Sequence, residues 1–296
     1  MKSGDRLILI FLLLLMISTT GCAANSQQQP QLSDIWIRPT DSMEMVFVPG
    51  GTLQMGSTED QVQIALSLCQ EYPDAYGKCA SEGFQDETPQ HSHTVDDFWI
   101  DRTEVTNAQY KVCVEEGICN PSRLDTNQAY NDGSYPVAGI PWEDAVVYCQ
   151  WAGGRLPTEI EWEYAARGSE GSIFPWGDNF ECGRGSFGED CTPCDDGFKA
   201  PSPVGTFPEG VSWCGAMDMA GNVWEWTLTD FVEYPVGDDP FTGEDSSGGK
   251  KVLRGGSWGY CPAFVRSAFR YPVPPTADYL GVGFRCVLQK TEGSDN

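Results

Sequence analysis

Residues 141–168 read PWEDAVVYCQWAGGRLPTEIEWEYAARG, two helix signatures set end to end. In the first, Pro141 stands at a first-turn position and Gly153 lies just past the end, with Ala145, Val146, Cys149 and Trp151 gathered toward a core. In the second, Thr158 and Glu161 form a capping box and Gly168 stops the helix. The same grammar recurs upstream: Thr58 with Gln61 opens QVQIALSLCQ, and Thr106 with Gln109 opens TNAQYKVCVEEG, which Gly117 ends. MEMVFVPGGTLQMGS (Met43–Ser57) alternates apolar residues around Gly50–Gly51 and reads as a hairpin; HTVDDFWI (His93–Ile100) reads as a strand. Downstream of Gly168 the chain is rich in Gly, Pro, Asp and Trp, and only KVLRGGSW and GVGFRCV carry a strand pattern. The expected fold class is α+β with much ordered loop. Loops this long persist when disulfides or metal ions hold them.

The start of the chain has a different character. MKSGDR precedes the apolar run LILIFLLLLMI, and STTGC follows it, ending at Cys22. Eleven apolar residues are too few for a spanning helix, and the arrangement is that of an export signal. Gly21 before Cys22 fits a bacterial lipoprotein signal, with Cys22 as the lipid-bearing first residue of the mature chain; because Thr19 stands where Leu is usual, a plain secretory signal is the alternative. The expected organisation is a signal peptide over 1–21, Cys22 and a polar tether over 22–42, one domain over 43–290 and a tail over 291–296. Ala23 and Ala24 after the lipid cysteine suit an outer-membrane or cell-surface location, with membrane contact through the lipid alone.

A net charge of −25 argues against nucleic acid and against a polybasic grip on anionic lipid. It leaves carboxylates available for calcium. Of 12 cysteines, Cys22 aside, most should pair in an oxidising compartment. Close pairs are Cys69 with Cys79 and Cys113 with Cys119. Cys182, Cys191 and Cys194 crowd one loop with room for one bridge, Cys182 to Cys191 or to Cys194. The Cys191-x-x-Cys194 spacing lacks a second such pair or a matching His pair, so zinc is not expected.

Taken in order, MVFVPGGTLQMGS, FWIDRTEVTNAQY, GGRLPTEIEWEYAARG, FPWGD, DMAGNVWEW, VLRGGSW and GFRC resemble the formylglycine-generating enzyme (sulfatase-modifying factor) family across residues 43–288. The resemblance implies a distorted C-type-lectin-like fold with little regular structure. It implies calcium at Asp218, Gly221, Val223 and Glu225, two carboxylates and two carbonyls in a turn that glycine permits. A second implied calcium site comprises Ser186, Phe187, Asp196 and Phe198, with Ser186 in place of an amide-bearing ligand. A disulfide from Cys149 to Cys286 is also implied; the family's other core bridge falls on Ala166 and Ser267, so both its partners are absent together. Catalytic members hold copper(I) between two cysteines after the GGS motif. One of those positions falls on Pro262, beside Cys261, and the other has no counterpart, so this strand alone cannot build the copper pair.

Three functions are thereby set against one another. The favoured one is a tethered recognition domain without oxidase chemistry, binding a protein, peptide or glycan in a groove lined by Trp224, Ser257, Trp258, Tyr260, Arg266 and Arg270. In the alternative for the two arginines, they pair with internal carboxylates. The second function is a formylglycine-generating oxidase acting on a sulfatase cysteine, which needs a second thiol beside Cys261. The third is non-haem iron oxidation, for which His91 and His93 are the only histidines and share one strand face. After the bridges already assigned, Cys214 and Cys261 are expected to pair, because the resemblance brings their segments side by side; that bridge leaves no thiolate for copper.

Overall fold

The computed structural model describes residues 30–72, 81–187, 194–235 and 249–289. The export signal, Cys22, Cys79, Cys191 and the 291–296 tail lie outside the described residues. The first sheet takes β1 (Ile35–Ile37), β2 (Glu44–Val48), β5 (Phe98–Asp101) and β10 (Val287–Gln289), hydrogen-bonded in that order. β3 (Gly51–Met55) and β4 (His91–Val95) pair as a second sheet. A third has the order β8 (Tyr271–Val273), β7 (Lys251–Arg254), β6 (Trp224–Asp230), β9 (Val282–Gly283). All pairings are antiparallel except β6 with β9.

The hairpin expected over Met43–Ser57 does not form. β2 pairs with β5 from Met45↔Asp101 to Val48↔Phe98, and β3 pairs with β4 from Gly51↔Val95 to Met55↔His91. Residues 44–55 are therefore one antiparallel run laid against 91–101, and both runs bend at the same place. At that bend a Cβ on Gly50 would meet the Val95 carbonyl oxygen at 2.6 Å, so a glycine turns the ribbon without reversing it.

The domain also begins earlier than position 43. Ile35–Ile37 pair with Glu44–Val46, and just beyond them Arg38 is buried, donating to Asp101 at 2.8 Å and to Asp41 at 2.8 and 2.6 Å. The Tyr148 hydroxyl donates to the same Asp41 at 2.7 Å. Residues 35–42 are thus a locked edge of the first sheet and not part of a tether.

All four helices form. α1 (Glu59–Glu71), α2 (Asn107–Glu115) and α4 (Glu159–Arg167) each start on a reciprocal capping box, from Thr58–Gln61, Thr106–Gln109 and Thr158–Glu161 respectively, and α3 (Trp142–Trp151) starts after Pro141. α4 is buried nearly all round, Glu159 and Glu163 included, and packs against strands of the second and third sheets. Its carboxylates survive there because Arg254 pairs with both, while Arg270 reaches Glu159 at 2.6 Å and Arg167 reaches Glu163 at 3.0 Å. Disulfides join Cys113 to Cys119, Cys149 to Cys286 and Cys182 to Cys194. The second spans 137 residues of sequence, and a loop of that length is worth about 5 kcal/mol on the chain-entropy account. Because Cys194 takes Cys182, the alternative bridge from Cys182 to Cys191 is excluded.

Candidate functional site

After β7 the backbone passes through Gly255 (φ 86°) and Gly256 (φ 76°), both left-handed. A Cβ on Gly256 would stand 2.5 Å from Val265 Cγ1, so only glycine lets the chain cross there and carry Ser257–Tyr260 out to the surface. Trp224 opens β6 beside this crossing. Its ring stacks on Tyr271 at 5.2 Å and receives the edge of Tyr260 at 5.1 Å. The result is a cleft of about 520 Å³ walled by Trp224, Ser257, Trp258, Gly259, Tyr260, Tyr271, Tyr279, Leu280 and Gly281, with Arg123 at the rim, 3.2 Å from Asp278. A Cβ on Gly259 would point into open space.

Four of the six expected groove residues line this cleft; the two arginines do not. Arg266 is buried and grips Glu87 at 2.6 and 3.0 Å over the Phe84 ring. Arg270 is buried, grips Glu159 at 2.6 and 2.9 Å, and lies 3.9 Å over the Tyr234 ring. Both are fasteners of the core. In their place the cleft draws on Arg123, Tyr271 and the Tyr279–Gly281 segment. The exposed apolar pair Tyr279–Leu280, in a run with no strand or helix period, was the available signal for the last of these; nothing in the sequence marked Arg123.

Cys261 is buried and disulfide-bonded, and leads into a single 3-10 turn, Pro262–Phe264. Its partner is not Cys214, which is a free, buried thiol. The two lie in different cores. Cys214 packs below α4, with its sulfur 3.3 Å from the Ala165 carbonyl and 3.3 Å from the Ser212 hydroxyl, whereas Cys261 belongs to the cluster holding Phe84, Phe264 and Phe269. Burial pushes the Cys214 thiol pKa up, so it is an inert sulfur.

Next to the cleft, residues 218–222 form an acidic turn in which Asp218 (φ 57°), Gly221 (φ 81°) and Asn222 (φ 53°) are left-handed. Asp218 accepts the Gly205 N–H at 2.6 Å. Glu225 receives Nε and Nη2 of Arg285 at 2.6 and 2.7 Å, together with the Trp162 indole N–H at 2.7 Å. Glu104, which sequence reading did not single out, is fully buried beside the same turn, where its carboxyl lies within hydrogen-bond reach of Asp218 and no N–H donor reaches its oxygens. Burial and then the Asp218 charge push the Glu104 pKa well above the carboxylate range, and burial pushes Asp218 up to about 6. Oxygen-only chemistry, a left-handed turn and a buried carboxyl that no N–H donor reaches suit a hard divalent cation here. In the second expected calcium set, Asp196 accepts from the Ser186 hydroxyl (2.9 Å) and the Phe187 N–H (3.0 Å) on one oxygen and from the Phe198 N–H (2.8 Å) on the other, so the structure brings these four residues together.

His91 and His93 face each other with rings 4.8 Å apart, and His91 packs edge-on against Tyr234 at 4.4 Å. Among the described residues no three His, Cys, Asp or Glu side chains converge as metal ligands. A facial triad on this strand has no third member there.

A model of the sulfatase-modifying factor enzyme 1-like domain matches residues 34–290. The chain belongs to that family. Within it, the formylglycine-generating enzyme of Mycobacterium tuberculosis is 30% identical, the match covering 84% of this chain and 99% of that protein. The inactive C-alpha-formylglycine-generating enzyme 2 of Mus musculus is 38% identical over 51% of this chain and 48% of its own length. Among solved structures, PvdO from Pseudomonas aeruginosa superposes with a TM-score of 0.68 at 24% identity, over 87% of this chain and 98% of that one, and shares the fold. The match from residue 34 agrees with a domain edge that includes β1. The fold is the α+β, loop-rich fold of this family.

Proposed function

We propose that this sulfatase-modifying-factor domain recognises a protein, peptide or glycan ligand in the aromatic cleft and does not carry out copper–cysteine oxidation. The observation that carries the reading is the state of Cys261. It is the one cysteine in the stretch after the GGS motif, where catalytic members place two, and a disulfide withdraws it as a thiolate ligand. Cys214 is buried in another core and cannot supply the missing thiol. Similarity to a relative named as inactive supports the reading; similarity to named enzymes is what makes the experiment necessary. The purified protein, given copper(I), oxygen and a sulfatase-type cysteine peptide, should yield no aldehyde product, and a copper-dependent aldehyde would overturn the reading. On glycan and peptide arrays, Gly259→Trp should abolish binding with an unchanged melting temperature, because the new ring fills open space in the cleft.

No helix among the described residues is long and apolar enough to cross a membrane. We place the domain outside the cytoplasm on a lipid at Cys22. Replacement of Cys22 by Ser should move it from the membrane fraction to the soluble one, and unchanged association would contradict the anchor. We also read the acidic turn as a calcium site of the Asp218 and Glu225 carboxylates and the Gly221 and Val223 carbonyls. The ion would neutralise buried carboxylates and fix the turn under the cleft.

A further inference from the structure

β1 is an open edge of the first sheet, and its side chains are apolar on both faces. Ile35 is 52% exposed, Trp36 38% and Ile37 49%, with Leu32 at 47% just upstream. Of the ten exposed large apolar side chains among the described residues, four fall within residues 32–37, so the patch is concentrated at this edge and not scattered. The pleat divides it. Trp36 lies opposite Met45, on the face where its ring meets that of Trp99 at 6.2 Å, while Ile35 and Ile37 lie opposite Val46 and Glu44 on the other face. The Phe47 N–H donates to the Asp34 carbonyl and the Arg38 N–H to the Met43 carbonyl. By the alternation of an antiparallel ladder, the N–H and C=O groups of Ile35 and Ile37 therefore point away from β2. Edge strands are commonly guarded by lysine, proline or a bulge. β1 has neither residue, and its register with β2 is unbroken.

We propose that this ridge lies on the bilayer surface, at the level of the lipid headgroups, as a second membrane contact beside the acyl chains. The inference rests on the reading of a lipid at Cys22. Twelve residues lead from Cys22 to Asp34, and fully extended they reach only about 40 Å. The anchor thus holds the ridge close to the membrane and makes its docking intramolecular, so a weak affinity suffices. A tryptophan between two isoleucines suits the interface, where an apolar ring can bury while its N–H stays wet. The outward backbone groups of Ile35 and Ile37 set the depth, because hydrocarbon would leave them unpaired whereas headgroups and interfacial water can pair with them. Nearby cations are already engaged: Arg38 is held by Asp41 and Asp101, and Arg102 by Glu44 at 2.6 Å. With a chain charge of −25, the fitting surface is zwitterionic and not anionic. A second copy pairing along this edge would gain a ladder of only three residues, short of what a stable dimer buries.

The test places the mature lipidated protein in phosphatidylcholine vesicles whose acyl chains carry bromine, which quenches tryptophan emission at short range. We expect the natural protein to be quenched, and Trp36→Phe to lose the greater part of that quenching while remaining on the vesicles. Joint replacement by Ile35→Lys and Ile37→Lys should also leave the protein attached through its lipid and abolish most of the quenching. Its melting temperature should be unchanged, since both side chains are half exposed. Added salt should alter none of this, because no ion pair with lipid is involved. Equal quenching in Trp36→Phe and the natural protein overturns the ridge and leaves the anchor standing, as does a vesicle-bound natural protein that is not quenched. A mature protein whose mass shows no acyl chain at Cys22 overturns the anchor reading and the inference with it. A concentration-dependent dimer of the soluble Cys22→Ser protein, abolished by the two lysines, assigns the ridge to a second copy and likewise overturns the inference.

Discussion

Arg266 and Arg270 show what a single residue's neighbourhood hides from the sequence. Both sit among aromatics in a glycine-rich stretch, which suits a binding groove as well as a core, and only their partners decide between the two. Those partners are 179 and 111 residues away. Asp101 illustrates the same concealment and gives a test. Burial, helped by the nearby Asp41 charge, pushes its pKa up to about 6 even though Arg38 and the Cys286 N–H favour the charged form. Unfolded, the group titrates near 4. Between about pH 4 and pH 6 the folded state therefore holds the extra proton, and this residue's contribution to stability falls as pH rises through that window. Asp101→Asn should remove that component: melting temperatures across the window should decline less with rising pH than those of the natural protein. Parallel curves would refute the assignment.

Elements were legible where their signal is local. Three reciprocal capping boxes could be read because cap and third residue are neighbours in the chain, and the disulfide across residues 113–119 closes a turn of the same short range. β6 was invisible as a strand: WEWTLTD is buried on both sides along most of its length, so no alternation of apolar and polar residues announces it. The bent ribbon was misread for a physical reason. Gly50–Gly51 between two apolar runs is a turn signal, but strand reversal depends on which partner is available, and His91–Asp101 is long enough to pair with both runs. Gly50→Ala should thus cost about 1–3 kcal/mol, the usual penalty for forcing a side chain against a packed neighbour, here the Val95 carbonyl. A urea midpoint equal to that of the natural protein would show that the ribbon can yield.

At the scale of the whole molecule, family membership was legible because ordered motifs survive across unrelated loops, and the cleft was legible in part because RGGSW carries its own geometry. What was not legible is how the edges close. The tether was drawn to residue 42 on polarity, yet Arg38 and Asp41 are buried at the centre of a network with Asp101 and Tyr148. A chain begun at Met43 would leave Asp101 and Tyr148 without those partners and expose the edge of β2. Such a shortened protein should unfold at markedly lower denaturant than one begun at residue 30, by about 3–5 kcal/mol if the loss matches that of a broken buried ion pair. Equal stability would return those residues to the tether.

The buried guanidinium groups have a consequence for the order in which the chain is delivered. The arginines that neutralise Glu87, Glu159 and Glu225 all lie between Arg254 and Arg285, downstream of the acids they pair with, and the long disulfide waits for Cys286. Until that segment arrives, the earlier acids have no arginine from it, and the α4 helix that carries Glu159 cannot be buried without a large electrostatic penalty. Burial of these acids therefore waits until residues 254–286 have been made, which makes that segment the trigger that commits the rest.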